Sequence, residues 1–309
     1  MGRALSFITL VLLACSSSDP APPAAVESAE PAPPAPAEKP APKPIVIRGQ
    51  GLDKPESVLH DAVADVYLVT NIVGKSLEKD GNGFISRLSP DGKVLDLKWI
   101  DGGKRGVSLD APKGMAISGD TLYVADIDTL RAFDRETGKP KSSIKIKGAT
   151  FLNDVAVDDR GQVFVSDSGL EQWGPYTEPN GKDAIYRVDG KKATALVKDK
   201  ALGNPNGLLA DGGALYVVNK LGELYRVDGG SKTDITKLPA GSLDGIVKTP
   251  AGIMISSWDA KAVFLQSGDK FEPVLEDVSS PADIGYDSKR NRLLAPVLTE
   301  KTVRIEMRP

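Results

Sequence analysis

The sequence contains few of the residues on which hydrolytic enzymes most often depend. Its 309 residues include one cysteine, Cys15, and one histidine, His60. A disulfide needs two cysteines, and a serine triad needs a histidine beside its serine. No G-x-S-x-G motif occurs either. We therefore expect no disulfide, no thiol nucleophile in the folded part, and neither a serine triad nor a two-histidine relay, and we interpret His60 as a core residue.

Charge of one sign is also missing. The chain carries 39 Lys and Arg against 42 Asp and Glu, for a net charge of −3, and its basic residues are spread throughout. Nucleic-acid-binding domains instead gather Lys and Arg into a patch or stripe that attracts phosphates. We therefore expect no nucleic-acid partner.

An apolar run long enough to cross a membrane is absent as well. Residues 4–14 (ALSFITLVLLA) form a short apolar run after Arg3, whereas about 20 apolar residues are needed to span a bilayer. The sequence LLAC that ends at Cys15 resembles the lipobox of bacterial lipoproteins, in which cleavage before the cysteine leaves its sulfur lipidated. We predict a lipoprotein signal peptide over residues 1–14 and lipidation of Cys15. An ordinary signal peptide and a buried N-terminal helix are the alternatives.

The residues after Cys15 predict a tether. Ser16, rather than an aspartate, follows the cysteine, and by the same resemblance this favours the outer membrane over the inner one. Residues 16–44 hold 10 of the 23 prolines and no aromatic residue. Such a segment has too little apolar surface to offset the entropy of folding. We predict a lipid-anchored protein of the bacterial cell envelope, with the lipidated cysteine and a linker over residues 15–44 and a folded domain over residues 45–309.

What the sequence does contain is a pattern that recurs six times after the linker. Each copy has a small residue or proline, a polar residue, an alternating strand, a turn, and a second strand rich in Leu, Tyr and Val. The copies are PESVLHDAVADVYLVTN from Pro55, PKGMAISGDTLYVAD from Pro112, LNDVAVDDRGQVFVSD from Leu152, PNGLLADGGALYVVN from Pro205, LDGIVKTPAGIMISS from Leu243 and PADIGYDSKRNRLLAPV from Pro281. Repeats that each supply one small sheet are typical of β-propellers.

The strand count predicts how the ring closes. Third and fourth strands follow in the first five copies, whereas the sixth copy has three strands. The missing strand is available in Ile45 to Arg48, and borrowing it would remove two exposed sheet edges. The spacing of about 44 residues per copy suits a propeller blade. We therefore predict an all-β, six-bladed β-propeller with four-stranded blades, the last one closed by the N-terminal strand. A seven-bladed ring is the alternative.

Polar residues recur at the start of the first strand of each copy. First strands line the channel of a propeller, so equivalent positions form a ring around its axis. The ring consists of Glu56, Lys113, Asn153, Asn206, Asp244 and Ala282. Turn chemistry explains each dipeptide alone, but it does not explain why four of the six copies place a side-chain oxygen at one position. Two carboxylates and two amides suit a hard cation, so we predict a divalent cation at Glu56, Asn153, Asn206 and Asp244. We expect Ca²⁺, with Mn²⁺, Mg²⁺ and Zn²⁺ as alternatives.

The same residues carry a family resemblance that spans residues 45–309. Four of the copies resemble, in the same blade order, the six-bladed propellers of the senescence marker protein and gluconolactonase (regucalcin-like) family. The matching motifs are Glu56 after Pro55, Asn153-Asp154, Asn206-Gly207 and Asp244-Gly245. The resemblance implies a divalent cation at the four oxygens and hydrolysis of lactones or related esters. It also implies that Asp244 is the proton acceptor.

Such a site would work by metal-assisted hydrolysis. A divalent cation at the channel mouth polarises a carbonyl and acidifies a bound water, and a ligand carboxylate with a free oxygen can take the proton. Asp244 and Glu56 are the candidate catalytic residues. Asp154 is placed to support the ligands from behind.

Four further residues are predicted to bind the substrate. Lys113 joins the ring from the second copy, where it could bind an oxyanion or offset the carboxylates. Relatives that act on sugar lactones often have an arginine two residues before the asparagine of the third copy, and Phe151 stands there instead, which favours a more apolar ester or lactone. Trp173 and Tyr176 lie in a long loop, residues 168–184, that we expect to overhang the site. A decorated surface loop is the alternative.

Two classes of function follow. The first is a metal-dependent hydrolase of a small-molecule lactone or ester, working as a monomer held at the membrane by the lipid on Cys15. The second is a non-catalytic propeller, similar to NHL-repeat modules, that binds a protein or polysaccharide while the cation braces the channel.

Overall fold

The strands of the folded domain form six antiparallel sheets of four strands each. The computed structural model describes residues 43–307, in which the only helical segment is a short 3-10 helix, Lys200–Leu202. The sheets are the blades of a six-bladed β-propeller, so the predicted fold is confirmed. The predicted signal peptide over residues 1–14, Cys15 and nearly all of the linker lie outside the described residues. Within the described part, no helix is long and apolar enough to cross a membrane.

The strands are numbered β1 to β26 in chain order, and the blades follow the order of the copies. Strand β1, Ile45–Ile47, precedes blade 1. Blade 1 contains β2 (Pro55–Asp61), β3 (Val66–Asn71), β4 (Phe84–Leu88) and β5 (Val94–Asp101). Blade 2 contains β6 (Pro112–Ser118), β7 (Thr121–Asp126), β8 (Thr129–Asp134) and β9 (Pro140–Lys145). Blade 3 contains β10 (Leu152–Val157), β11 (Val163–Asp167), β14 (Ala184–Asp189) and β15 (Lys192–Lys198), with β12 (Leu170–Trp173) and β13 (Tyr176–Pro179) between its second and third strands. Blade 4 contains β16 (Pro205–Asp211), β17 (Ala214–Asn219), β18 (Glu223–Asp228) and β19 (Ser231–Lys237). Blade 5 contains β20 (Leu243–Thr249), β21 (Gly252–Ser257), β22 (Ala262–Ser267) and β23 (Lys270–Leu275). Blade 6 contains β24 (Gly285–Asp287), β25 (Arg292–Val297) and β26 (Thr302–Met307).

In blades 1 to 5 the strands are ordered from the channel outward as the chain runs, whereas the outermost strand of blade 6 is the N-terminal β1. Blade 1 has the order β2-β3-β4-β5, and blades 2, 4 and 5 repeat it. Blade 3 differs because β12 and β13 form a separate hairpin between its second and third strands. This hairpin lies within the loop over residues 168–184 that the sequence analysis expected to overhang the site.

The core lies between neighbouring blades. Six clusters of buried side chains each join one blade to the next, so every blade packs on both faces. Leu68 of blade 1, for example, shares a cluster with Leu122 and Phe133 of blade 2. Strands buried on both faces read as continuous apolar runs. All six residues of β3 are accordingly buried, whereas the outer strand β9 buries only Ile144.

Strand β1 completes blade 6 as predicted. It pairs antiparallel with β26, with Ile45 opposite Ile305 and Ile47 opposite Val303. Ile47 is fully buried in the cluster that joins blades 6 and 1. The N-terminal strand therefore covers what would otherwise be an exposed edge of β26.

A β-bulge opens the inner strands of the first five blades. The antiparallel register shifts after the first strand residue in each case, between Pro55 and Val58 in blade 1 and at the equivalent positions of blades 2 to 5. A bulge places two residues opposite one and re-aims their side chains. The polar ring positions fall within these bulges.

The glycines after Asn206 and Asp244 reflect close packing of strands. Both dipeptides lie in the inner strands β16 and β20, so they are not turns. A Cβ atom on Gly207 would lie 2.3 Å from the Asp244 carbonyl oxygen, and one on Gly245 would lie 2.3 Å from Ile284 N. A side chain at either position would push adjacent inner strands apart.

Candidate metal and substrate site

A cavity of about 260 Å³ opens at the mouth of the channel. All four predicted oxygen ligands line it, each carried by a different inner strand: Glu56 on β2, Asn153 on β10, Asn206 on β16 and Asp244 on β20. The ring geometry of the propeller is what brings together residues so far apart in the sequence.

The two carboxylates of this ring are buried without a full set of partners. Glu56 is 5% exposed and Asp244 is 6% exposed. Among the described residues, Glu56 Oε2 and Asp244 Oδ1 accept no hydrogen bond. Buried polar atoms are nearly always paired in native proteins, because an unpaired group loses its hydrogen bonds to water and gains no protein hydrogen bond in return. The two orphaned oxygens therefore fit a bound cation.

The donor set indicates which kind of cation would fit. Across residues 43–307, no group of three or more His, Cys, Asp or Glu side chains comes close enough to hold a metal by itself. A cation here would need the two amides and water in addition to the two carboxylates. Such an all-oxygen set suits Ca²⁺ or Mg²⁺, whereas structural zinc sites use thiolate and imidazole.

The electrostatics of the ring also favour a positive ligand. Burial, and then the charges of Asp244, Asp283 and Asp154, raise the pKa of Glu56 well above its usual value, while Lys113 opposes them. Burial and Asp283 likewise raise the pKa of Asp244, although the side chains of Trp258 and Asn206 lower it. Like charges in a low dielectric disfavour ionisation. A bound cation would offset that penalty.

One of the two amides is held in a defined orientation. Asn153 Nδ2 donates to Ser168 Oγ at 2.9 Å, and Ser168 Oγ donates to the carbonyl oxygen of Pro205 at 2.6 Å. The amide nitrogen is thereby used, so the amide oxygen is left for a ligand. Asn206 is partly exposed at the same cavity.

Lys113 is buried in the cavity wall and is held by uncharged groups. Its Nζ donates to the carbonyl oxygens of Ser76, at 3.1 Å, and Ala111, at 3.0 Å. The same nitrogen lies 4.4 Å from the centre of the Phe151 ring. Burial lowers the pKa of Lys113 to about 8, although the charges of Glu56 and Asp126 oppose this. Phe151, which stands where the resemblance would place an arginine, thus forms a cation–π contact with the lysine.

Two further carboxylates, Asp154 and Asp283, lie deeper in the channel, and the sequence predicted only the first of them. The carboxylate of Asp154 accepts hydrogen bonds from Val155 N and Leu208 N, both at 2.6 Å, and its support of the ligands stays a prediction. Asp283 was missed. It accepts a hydrogen bond from Ser57 Oγ, and both carboxylates line a separate cavity of about 160 Å³ further along the channel.

The aromatic residues of the hairpin lie at its tip. Trp173 and Tyr176 pair across the turn and are 66% and 73% exposed. They do not contribute to the cavity wall, whereas Leu170 and Thr177 of the same hairpin do. The hairpin therefore borders the site, and a role for its two aromatic rings stays a prediction.

Comparison with solved structures finds the same fold. A gluconolactonase from Xanthomonas campestris matches with a TM-score of 0.58 at 17% identity, over 88% of this chain and 99% of that one. The WD40 β-propeller domain of Doa1 matches with a TM-score of 0.57 at 13% identity, over 82% of this chain and 78% of that one. No family model and no curated protein matches this sequence. At these identities the likeness shows the propeller fold alone, so the gluconolactonase resemblance is supported at the level of the fold.

Proposed function

We propose that this chain is a divalent-metal-dependent hydrolase of lactones or related esters. The observation that carries the proposal is the pair of orphaned, buried oxygens, Glu56 Oε2 and Asp244 Oδ1, at the mouth of the channel. Glu56, Asn153, Asn206 and Asp244 would hold the cation, which we expect to be Ca²⁺. When bound, the cation would polarise the substrate carbonyl and lower the pKa of a water molecule.

The protein's own groups would supply proton transfer and orientation. Asp244 is the proposed proton acceptor, and Glu56 is the alternative, because a carboxylate that binds the cation through one oxygen has a second oxygen with which to take a proton. Lys113, in the cavity wall, would bind the substrate through its ammonium group.

The cavity wall suits a substrate with an apolar side. Ile72, Phe151, Leu170, Leu243 and Leu298 all contribute to it. These side chains cannot hydrogen-bond the hydroxyl groups of a sugar, so a sugar lactone would leave polar groups unpaired there. We therefore propose a small, partly apolar lactone or ester as the substrate.

A metal titration combined with a substrate panel tests this proposal. The purified protein should bind one equivalent of Ca²⁺ and hydrolyse at least one lactone or ester in a panel assayed with Ca²⁺, Mn²⁺, Mg²⁺ or Zn²⁺. Asp244→Asn should lower kcat at least a hundredfold, since it removes the proton acceptor but keeps the shape. A kcat that is unchanged in Asp244→Asn would contradict the proposed mechanism.

A non-catalytic propeller, similar to NHL-repeat modules, is the second candidate. The exposure of Trp173 and Tyr176 on a projecting hairpin favours it, because exposed aromatic residues are common in binding surfaces. Stoichiometric Ca²⁺ binding without turnover of any lactone or ester would favour this function, with a protein or polysaccharide as the ligand.

We also propose that the protein is a monomer anchored to the outer membrane by lipid on Cys15. This rests on the resemblance of residues 12–15 to a lipobox and on the serine that follows. Radiolabelled palmitate should enter the wild-type protein and not Cys15→Ser. Equal labelling of the two would refute the anchor.

A further inference from the structure

Two lysines line the cavity at the channel mouth, and neither forms an ion pair among the described residues. Lys113 lies in the wall, where its ammonium group donates to two carbonyl oxygens and faces an aromatic ring, and the charges of Glu56 and Asp126 act on it. Lys220 follows the last residue of β17 and is exposed at the rim of the cavity. Its backbone is hydrogen-bonded to Asn204 and Ser242, which fixes the chain at this point and leaves the side chain free to move.

The charges of the cavity do not balance once a divalent cation is present. Glu56 and Asp244, the only carboxylates in the cavity wall, would neutralise such a cation. The two ammonium groups are then left in excess. Asp126, whose charge also acts on Lys113, already forms an ion pair with Arg131, and Asp154 and Asp283 line the separate cavity further along the channel.

Lys113 is the more informative of the two lysines. A buried ammonium group is costly unless an opposite charge accompanies it, and carbonyl oxygens compensate only part of that cost. The Phe151 ring occupies one side of the ammonium group and the two carbonyls occupy two donor positions. With Glu56 engaged by the cation and Asp126 paired with Arg131, an anion in the cavity would supply the counter-charge of Lys113 in a setting where water screens it little.

We propose, on the basis of the hydrolase function above, that the substrate is an anionic lactone or ester whose carboxylate is bound between Lys113 and Lys220. The apolar residues of the wall would contact its hydrocarbon part, and the lactone or ester carbonyl would face the carboxylate ring. The size of the cavity, about 260 Å³ with room needed for the cation and water, restricts the substrate to a small molecule.

A matched pair of lactones tests the proposal on the full chain in the presence of Ca²⁺. The pair is γ-butyrolactone-γ-carboxylate and its uncharged carboxamide, which differ in charge but not in shape. Wild-type protein should have a kcat/KM for the carboxylate at least tenfold above that for the carboxamide. Lys113→Met and Lys220→Gln should each lower this ratio about tenfold, because each removes one charge-assisted contact. Lys270→Gln, a control at an exposed position on the outer strand β23, should leave the ratio unchanged.

A binding measurement separates this inference from the hydrolase proposal. Pyroglutamate and pyroglutamide are the lactam counterparts of the two lactones and do not open under these conditions. Calorimetry should show tighter binding of pyroglutamate, lost in Lys113→Met. Hydrolysis of both lactones at equal kcat/KM, or a preference that both lysine variants retain, overturns the anionic substrate and leaves the hydrolase intact. Lysine-dependent binding of pyroglutamate without turnover of any lactone or ester in the panel supports the anion site and overturns the hydrolase.

Discussion

Asp283 directly follows Ala282, the one member of the inner ring with no polar side chain. Its carboxylate accepts a hydrogen bond from Ser57 in the adjacent blade, and its backbone N–H donates to the Glu56 carbonyl oxygen at 2.8 Å. The residue thus fastens the last blade to the first directly behind a proposed metal ligand. In the sequence it is one acidic residue among 42. The one signal for it is its position directly after a ring residue, which is also the position of Asp154 in the third copy.

The titration of Asp283 leads to a prediction for the cation-free protein. Burial raises its pKa from the ordinary 3.8 to about 7. The native carboxyl keeps its proton up to about pH 7, whereas the unfolded chain releases it near pH 4. The free energy of unfolding should therefore fall as pH rises through this window. Burial raises the pKa values of Glu56, Asp154 and Asp244 as well, so their contributions have the same sign.

Urea unfolding between pH 4 and pH 8 in the presence of a chelator measures this effect. Asp283→Asn should flatten the decline by a few kcal/mol, about 1.4 for each pH unit of the shift that it removes. Added Ca²⁺ should restore stability at pH 8. Asp269→Asn, at an exposed position, is the control and should follow the wild type. An unchanged pH slope in Asp283→Asn would show that the residue stays ionised in the native state.

At the scale of the strands, the second strand of each of the first five blades ends in a polar residue that ties down the entry to the inner strand. The bonds are Asp53 N to Asn71 Oδ1 at 2.9 Å, Ala111 N to Asp126 Oδ1 at 2.8 Å, Phe151 N to Asp167 Oδ1 at 2.9 Å, Asn219 Nδ2 to Leu202 O at 2.8 Å and Ser257 Oγ to Gly241 O at 2.7 Å. These contacts set where each inner strand begins and therefore the height of its ring residue in the channel.

Asp167 provides the sharpest test of this role. Its buried carboxylate accepts hydrogen bonds from the backbone N–H groups of Thr150, Phe151 and Gly169. Asp167→Ala would leave these donors unsatisfied, so we expect a loss of roughly 2–4 kcal/mol in the free energy of unfolding. Calcium affinity should also fall, because Asn153 follows the loosened segment. Asp159→Ala, at an exposed turn of the same blade, should change neither quantity.

At the scale of the whole molecule, stability depends on closure of the ring. Every blade has two neighbours, and the pairing of β1 with β26 adds Ile47 to the cluster that joins blades 6 and 1. The same seam between blades 6 and 1 is reinforced by Arg290, which bonds Asp65 at 2.6 Å and Asp287 at 3.0 Å. The buried His60 lies between the same two carboxylates, in agreement with its interpretation as a core residue.

Removal of β1 should therefore weaken the entire domain. A protein that begins at Gly49 lacks the strand and with it the fully buried Ile47. Losing one large core side chain costs about 2–5 kcal/mol, which corresponds to a fall in Tm of about 5–10 °C for a domain of this size. A protein that begins at Pro44 keeps the strand and should melt with the full chain in differential scanning calorimetry. Equal Tm values for the two truncated proteins would contradict a closing role for β1.

The sequence by itself determined the number of blades, the closing strand and the ring that contains Glu56, Asn153, Asn206 and Asp244. Burial on both faces imposes apolar second strands, and the turns between strands recur at a fixed spacing, so both are visible along the chain. The four oxygen-bearing residues occupy one equivalent position in the aligned copies, and all four line the same cavity in the structure.

Only the tertiary structure decided what those residues face. The orphaned oxygens of Glu56 and Asp244, the cation–π contact of Lys113 with Phe151, and the positions of Asp283 and Lys220 all depend on neighbours from other blades. The local sequence cannot reveal them, because the partners of a channel residue are set by how the blades pack around the axis. Repetition along the chain therefore determines the ring, whereas the packing between blades determines its chemistry.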